Sequence, residues 1–395
     1  MSSITRRRFF WSASALLALP AAAAADDRLI LVTTDQARRM RQSLGPAADV
    51  VRANADAALA AGPWSVTTHR PNDVPAGPND YYSEGPYWWP DPKNPGGPYI
   101  RKDGRRNPER FMGNRTDLGN MSTAVLALGM GGFLLGDRRC GEHAAVVLST
   151  WFVDAKTRMN PNLEYGQAVR GINTGRGTGI IDTVSMIHTV EGIALLDAAG
   201  MLGPGLSGPV RQWFADYLKW MTTSKKGLDE KKSGNNHATW WTTQVSAYAA
   251  LTGNDAVKRM AWDHYRDYLV PTEIRPGGNC PREEGRTNSL GYSTMNLDAF
   301  ATLCRIAQTN GVDLWHYRAP EAGSVETAFR YLLPYVEHPD TWKKEQISKF
   351  SPDGTVFAGL AGVGLPAKDL LDNYHTLPRS RSPWVQWVDL VVRTA

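Results

Sequence analysis

The 395-residue chain has only three cysteines, Cys140, Cys280 and Cys304. An odd count without zinc-type spacing excludes a disulfide-stapled miniature fold and a cysteine-ligated zinc module, leaving room for one disulfide and one buried thiol at most. No low-complexity block and no run of like charge interrupts the middle of the chain, so nothing marks a linker. Beyond the N-terminal segment, no apolar run is long enough to span a bilayer. Charge of one sign is also scarce. The formal net charge is +5, and three of those charges belong to Arg6, Arg7 and Arg8 at the N-terminus. The remaining cations are interleaved with acids, which argues against a nucleic-acid-binding stripe and suits an anionic partner without demanding one.

What is present fits a globular protein with a large core: 42% of residues are hydrophobic and 21% charged. Thr5-Arg6-Arg7-Arg8-Phe9-Phe10 precedes an apolar run from Trp11 to Leu19 and an Ala-rich stretch ending near Ala25. This reads as a twin-arginine export signal over residues 1–25. The mature protein is then expected to begin near Asp26 as one domain, 26–395, in the periplasm or outside the cell, with no membrane anchor. The 14 Trp and 14 Tyr supply flat amphipathic rings, useful against sugar faces as well as in a core.

Apolar residues recur at helical spacing through most of the chain. The pattern predicts two helices over 34–61 broken at Gly45-Pro46, then helices over 120–135, 142–155 and 181–199. Further helices are expected from Ser207-Gly208-Pro209 onward, over 236–251, 255–269, 290–309 and 325–335. Helical hairpins of roughly 40 to 50 residues bury their apolar faces by closing into a ring. The fold class expected is therefore all-α: an (α/α) toroid, incomplete or closed, with long irregular loops and a few short strands.

The stretch from Tyr81 to Pro108 departs from this pattern. Six prolines and four glycines leave no regular element there, while Tyr87, Trp88, Trp89, Tyr99, Arg101, Lys102, Arg105 and Arg106 mix rings with cations. A long loop of this composition is either a wall for an acidic sugar chain or a proline-stiffened strap over the core.

Two further stretches carry the chemistry. Ser233-Gly234-Asn235-Asn236-His237 turns into a helix start with an amide and an imidazole, and Glu284 to Tyr292 offers Arg286 and Tyr292 six residues apart. Amide, imidazole, guanidinium and phenol together suit one task, holding a carboxylate while the proton on the carbon beside it is removed. The enolate-like intermediate needs donors, here Asn236 and Arg286. Deprotonation needs a base and the departing oxygen an acid. His237 and Tyr292 divide these roles when the proton and the departing oxygen lie on opposite faces. Tyr292 serves both when they share a face, if Arg286 lowers its pKa. Read singly, Asn235 or Asn236 is also a good N-cap, and Arg286 a good partner for Glu283 or Glu284.

Tyr87-Trp88-Trp89-Pro90-Asp91-Pro92, Pro98 to Gly104, Asn107-Pro108-Glu109, Asn160 to Gln167, Asn235-Asn236-His237 and Tyr292 to Leu297 occur in the order in which the chain resembles alginate-lyase-like polysaccharide lyases. Among these it is most similar to polysaccharide lyase family 38. The resemblance implies an α/α toroid that cleaves alginate or β-1,4-glucuronan by β-elimination, without a metal or other cofactor. It implies Asn236, His237, Arg286 and Tyr292 as the catalytic set. Tyr87, Trp88, Trp89, Arg101, Gln167, Arg176, His188 and Trp240 are the candidate subsite residues. The expected partner is an anionic uronic-acid polysaccharide, and the expected assembly a monomer or simple homo-oligomer. Two rivals remain: a glycoside hydrolase drawing on Asp182, Glu191, Glu283 and Glu284, and a non-catalytic glycan-binding protein with Trp88, Trp89, Trp240 and Trp241 as its platform.

Overall fold

The computed structural model describes residues 29–365 and 367–394. The expected export signal and Asp26 lie outside the described residues. Helix α1 (Thr34–Gln42) starts with a reciprocal cap, in which Thr33 accepts from the Gln36 N–H and the Gln36 side chain accepts from the Thr33 N–H. The chain breaks at Gly45-Pro46 as expected and resumes as α2 (Ala47–Leu59).

The proline-rich loop holds more order than its composition suggests. Strand β1 (Tyr82–Glu84) is followed by β2 (Trp88–Trp89), which pairs antiparallel with β3 (Ile100–Arg101). The prolines bracket these two-residue strands without entering them, so the ladder loses no donor.

Helix α3 (Gly113–Leu135) is apolar on nearly every side and buried along most of its length. Among the described residues it is the one helix long and apolar enough to cross a membrane, and 78% of its apolar window is buried inside the protein. It packs on α2, on α4 (Arg138–Leu148) and, past strand β4 (Tyr165–Ala168), on α5 (Met186–Ala198). Strand β4 pairs parallel with β1. At the α3–α5 crossing the backbones touch, since a Cβ on Gly129 would lie 2.7 Å from the Gly192 Cα.

Helix α6 (Pro204–Thr223) begins three residues before the expected Ser207, because Pro204 already fills the favoured first position and Pro209 is accommodated within the first two turns. Next come the short α7 (Lys225–Lys231), which periodicity does not reveal, then α8 (Asn236–Thr252) and α9 (Asp255–His264). Single turns α10 (Val270–Glu273) and α11 (Pro281–Glu284) lead into α12 (Ser289–Thr309) and α13 (Val325–Glu337). Three more helices complete the chain: α14 (Phe357–Gly364), α15 (Lys368–Thr376) and α16 (Pro383–Thr394).

The packing of these helices makes a circuit. Helix α3 packs on α5, α5 on α8, α8 on α12, α12 on α14, α14 on α16, and α16 returns to α3. Outer helices α2, α4, α6, α9, α13 and α15 each lie against one of these inner members. The result is the mostly helical, toroid-like fold expected of consecutive hairpins. The ends of the circuit are tied by Glu191 of α5, whose carboxylate accepts from the Ile30 N–H at 2.8 Å and the Trp387 indole N–H at 2.7 Å. Cys140, Cys280 and Cys304 are all buried free thiols, so the one disulfide that the count allowed does not form.

Candidate active site

The site begins where the chain turns into α8. Gly234 has a φ of +66°, and a Cβ there would sit 2.3 Å from Arg282 Nη1. That nitrogen donates to the Ser233 and Gly234 carbonyls at 2.9 and 3.1 Å, fastening the turn to α11. Asn235 is the N-cap, its side-chain oxygen accepting from the His237 N–H at 3.2 Å. Asn236 and His237 are thereby left in the first helical turn with their side chains free for other work.

Asn236 is fully buried, but not among apolar groups. Glu283 accepts from its backbone N–H at 2.6 Å and from its amide at 2.8 and 3.0 Å. The amide expected to meet a substrate carboxylate is therefore engaged inside the protein, and its Oδ1 has no partner. Burial pushes the Glu283 pKa up, against the pull of the Asn236 hydrogen bonds.

His237 is oriented by a second acid. Its Nδ1 lies 2.6 Å from Glu230 Oε1, with the imidazole 18% exposed and the carboxylate 1% exposed. Burial disfavours the imidazolium, yet the Glu230 charge and hydrogen bond, with Glu283 behind them, outweigh burial and the opposing Arg286 to hold the pKa above the ordinary value.

Arg286 occupies the turn between α11 and α12, and Tyr292 the first turn of α12. The guanidinium carbon stands 3.8 Å from the centre of the Tyr292 ring and 6.0 Å from that of Tyr87. The Tyr87 and Tyr292 hydroxyls share a short hydrogen bond, which brings the aromatic loop onto the site. Tyr292 is not the acidified phenol that a neighbouring Arg suggests. Burial and then Tyr87 raise its pKa, and Arg286 does not overcome them.

The same loop supplies Asp103, which receives Arg286 Nε and Nη2 at 3.1 and 2.9 Å, Thr287 Oγ1 at 3.1 Å and Arg101 at 2.6 Å. Burial works to raise the Asp103 pKa, but the two guanidiniums and the hydroxyl bring it down to about 2.

Beside this centre stands a wall of rings and cations. Arg176 lies 5.8 Å from the Trp88 ring and donates to the Gln167 carbonyl at 3.1 Å and to its Oε1 at 2.9 Å. Gln167 itself takes a positive φ of 48°, an uncommon conformation for a side-chain-bearing residue. Its backbone N–H reaches Ser83 and its amide reaches Asp182 at 2.9 Å. Trp89 donates to the Arg105 carbonyl and carries Lys102 4.8 Å over its ring. Burial, and after it the neighbouring Arg106 and Arg115, lower the pKa of Arg110.

Two candidate subsite residues stand apart. Trp240 is 9% exposed and belongs to the hydrophobic core, because α8 is buried on nearly every side. His188 stacks on Trp384 of α16 at 4.4 Å, and burial pushes its pKa down to about 3. No hydrogen bond or ring contact joins either residue to His237, Arg286 or Tyr292.

The acids proposed for hydrolysis are all engaged elsewhere. Asp182 accepts from Tyr81, Ser83 and Gln167; Glu191 clamps the chain ends; Glu283 holds Asn236; and Glu284 pairs with Lys344. Among the described residues no three His, Cys, Asp or Glu side chains group as metal ligands. Sequence reasoning missed Glu230 and Asp103, and weighed Glu283 as a partner for Arg286 or an acid for hydrolysis, not as the partner of Asn236. The signal for Glu230, an acid next to Asp229 and seven residues before His237, is hidden in the charged run Lys225 to Lys232.

The chain is similar to known proteins in both sequence and structure. A family model described as alginate lyase matches residues 65–342. The crystal structure of an alginate lyase from Bacteroides ovatus is 31% identical, with a TM-score of 0.86 over 92% of this chain and 99% of that one. Alginate lyase A1-III from Sphingomonas species A1 is 17% identical, with a TM-score of 0.59 over 92% of this chain and 97% of that one, a likeness of fold. No curated protein matches by sequence. The family match spans more than half of the chain and the Bacteroides ovatus likeness nearly all of it, and on both grounds the chain belongs to the alginate lyase family.

Proposed function

We propose that this protein is a polysaccharide lyase of the family 38 type, acting on a 1,4-linked uronic-acid polymer such as alginate, polymannuronate or glucuronan. β-Elimination leaves a 4,5-unsaturated uronate on the new non-reducing end. The observation that carries this reading is the grouping of one carboxylate-paired imidazole and one half-buried neutral phenol around a single guanidinium, His237, Tyr292 and Arg286. Such a set has a base, an acid and a charge stabiliser but no pair of free carboxyls for hydrolysis.

In the proposed reaction His237 Nε2 takes H5, and the electron pair left on C5 spreads into the uronate carboxylate. Arg286 offsets that developing charge, an interaction whose loss costs on the order of 10² to 10³ in rate. Because Asp103 takes Nε and Nη2, the uronate meets the guanidinium at Nη1. The C4–O4 bond then breaks, its electrons leave with the oxygen, and Tyr292 donates its proton to O4 as the C4=C5 double bond forms. The upward shift of the Tyr292 pKa disfavours a resting phenolate and hence the base role, leaving the phenol protonated for the acid step. Arg101, Arg176 and the rings of Trp88 and Trp89 border the chain on either side of the scissile bond. Export by the twin-arginine route would place this activity in the periplasm.

A panel of acidic polysaccharides followed by ultraviolet absorbance tests the reading. Absorbance growing with cleavage supports elimination. Cleavage into reducing ends without absorbance makes the protein a hydrolase, and binding without cleavage makes it a glycan-binding protein.

A further inference from the structure

Glu230 lies in the last turn of α7, a helix too short to be seen in the hydrophobic pattern, and α7 is firmly held. Ser224 caps it by accepting from the Gly227 N–H at 3.0 Å, and Lys226 ties it to Glu164 at 2.7 Å. The Ser233 N–H donates to the Glu230 carbonyl at 3.1 Å, so the acid and the turn into α8 move as one piece. The Glu230 carboxylate is 1% exposed, and its one hydrogen bond from a side chain is to His237 Nδ1 at 2.6 Å. A buried carboxylate is retained only where something answers its charge. Here the imidazole does so, with Arg176 near enough to add its field.

We propose that Glu230 is the positioning residue of His237: by accepting the Nδ1 proton it fixes the tautomer, turns the Nε2 lone pair toward the substrate and strengthens it as a base. The inference rests on the lyase reading above for what that base attacks. The proton from C5 enters on Nε2 and the Nδ1–H stays hydrogen-bonded to Glu230, which is not itself protonated. A buried pair of net charge −1 becomes neutral in the step that builds charge on the uronate. No second carboxylate is placed to take over, because Glu283 is committed to Asn236.

The groups that set this titration are few. His237 faces Glu230 on α7, Glu283 on α11 and Arg286 in the turn that follows. Glu230 faces His237, Arg176 and the Tyr217 hydroxyl of α6. Of these, Glu230 is the one in direct contact with the imidazole.

Glu230→Gln tests the proposal, since the amide keeps the size and an acceptor for Nδ1–H while removing the charge. kcat on the preferred polymer should fall by about 10- to 100-fold with KM within about threefold. The acidic limb of the kcat profile, where His237 loses its proton and becomes competent, should move down by about one pH unit or more. The His237 ring signals of labelled protein should titrate at lower pH in the same variant, and Glu230→Asp should recover part of both shifts. A folded Glu230→Gln protein whose His237 midpoint and pH limb match the wild type overturns the proposal, whatever happens to kcat. Absence of unsaturated product from the wild type would count against the lyase reading instead, and the ring titration would still decide the role of Glu230.

Discussion

Asp103 and Arg286, 183 residues apart, meet as a two-pronged pair, with guanidinium Nε and Nη2 at 3.1 and 2.9 Å from the two carboxylate oxygens. A two-pronged guanidinium–carboxylate pair is both charge-assisted and fixed in geometry, so this contact docks the aromatic loop onto the turn before α12.

Asp103→Asn should therefore loosen the loop without unfolding the helices. Limited proteolysis should cut faster between residues 81 and 106, and KM for polymer should rise several-fold with a smaller change in kcat. Equal cutting rates would mean that Tyr87–Tyr292 and the β2–β3 ladder hold the loop unaided. The Asp103 pKa of about 2 sets the pH window: the pair is intact above the ordinary carboxylate range near 4 and is lost only as pH falls through about 2. Docking should not vary between pH 5 and 8.

Tyr292→Phe removes one oxygen and keeps the ring under Arg286. Turnover should fall by at least about 10² while polymer binding persists, as expected for a lost proton donor. Near-normal unsaturated product from the folded variant would falsify the acid role of Tyr292. Tyr87→Phe, which leaves the donor in place but removes its hydroxyl partner, should cost less than Tyr292→Phe in the same assay.

Glu273 gives a stability prediction with a definite sign. Its carboxyl is buried, with Oε2 accepting from Thr239 and Asn296 and Oε1 without a partner, and burial pushes its pKa up to about 8. Between about pH 4.3, where an unfolded Glu releases its proton, and 8, the folded chain binds the extra proton, so this group's contribution to stability falls as pH rises. Glu273→Gln mimics the protonated form. Denaturant unfolding should find the variant close to wild type at pH 4.5 and more stable than wild type, by a margin that grows, toward pH 8. A gap independent of pH would show that Glu273 is ionised throughout.

Gly192→Ala places a methyl 2.4 Å from the Val125 carbonyl oxygen, where α5 crosses α3. Backbone cannot yield as a side-chain tip does, so the variant should lose about 1–3 kcal/mol or more. Thermal and denaturant unfolding measure this, and an unchanged midpoint would mean that the two helices slide apart at no cost.

Much of the molecule is legible in its residues because helical period, caps and punctuation act locally. Gly45-Pro46 separates α1 from α2, and Gly253 ends α8 in a left-handed conformation. Asn235 caps the turn that exposes His237, and consecutive hairpins imply a ring. Arg286 and Tyr292 sit six residues apart on one turn and one helix start, so their pairing is also largely local. What the ring brings together from afar is not written in any spacing. Glu283 claims Asn236 across 47 residues, and even Glu230, seven residues before His237, meets it only through the turn that joins the short α7 to α8. Asp103 and Tyr87 cross from the opposite side of the chain to Arg286 and Tyr292. Periodicity places Trp240 on a helix but not on a face toward sugar, and it cannot tell that Trp384 covers His188. Residue type and local spacing thus determined which chemistry is available and on which elements it lies. Burial and long-range pairing decided which groups are charged, which donors are already engaged and which nitrogen of His237 remains free, because desolvation and Coulomb forces depend on distance in space rather than along the chain.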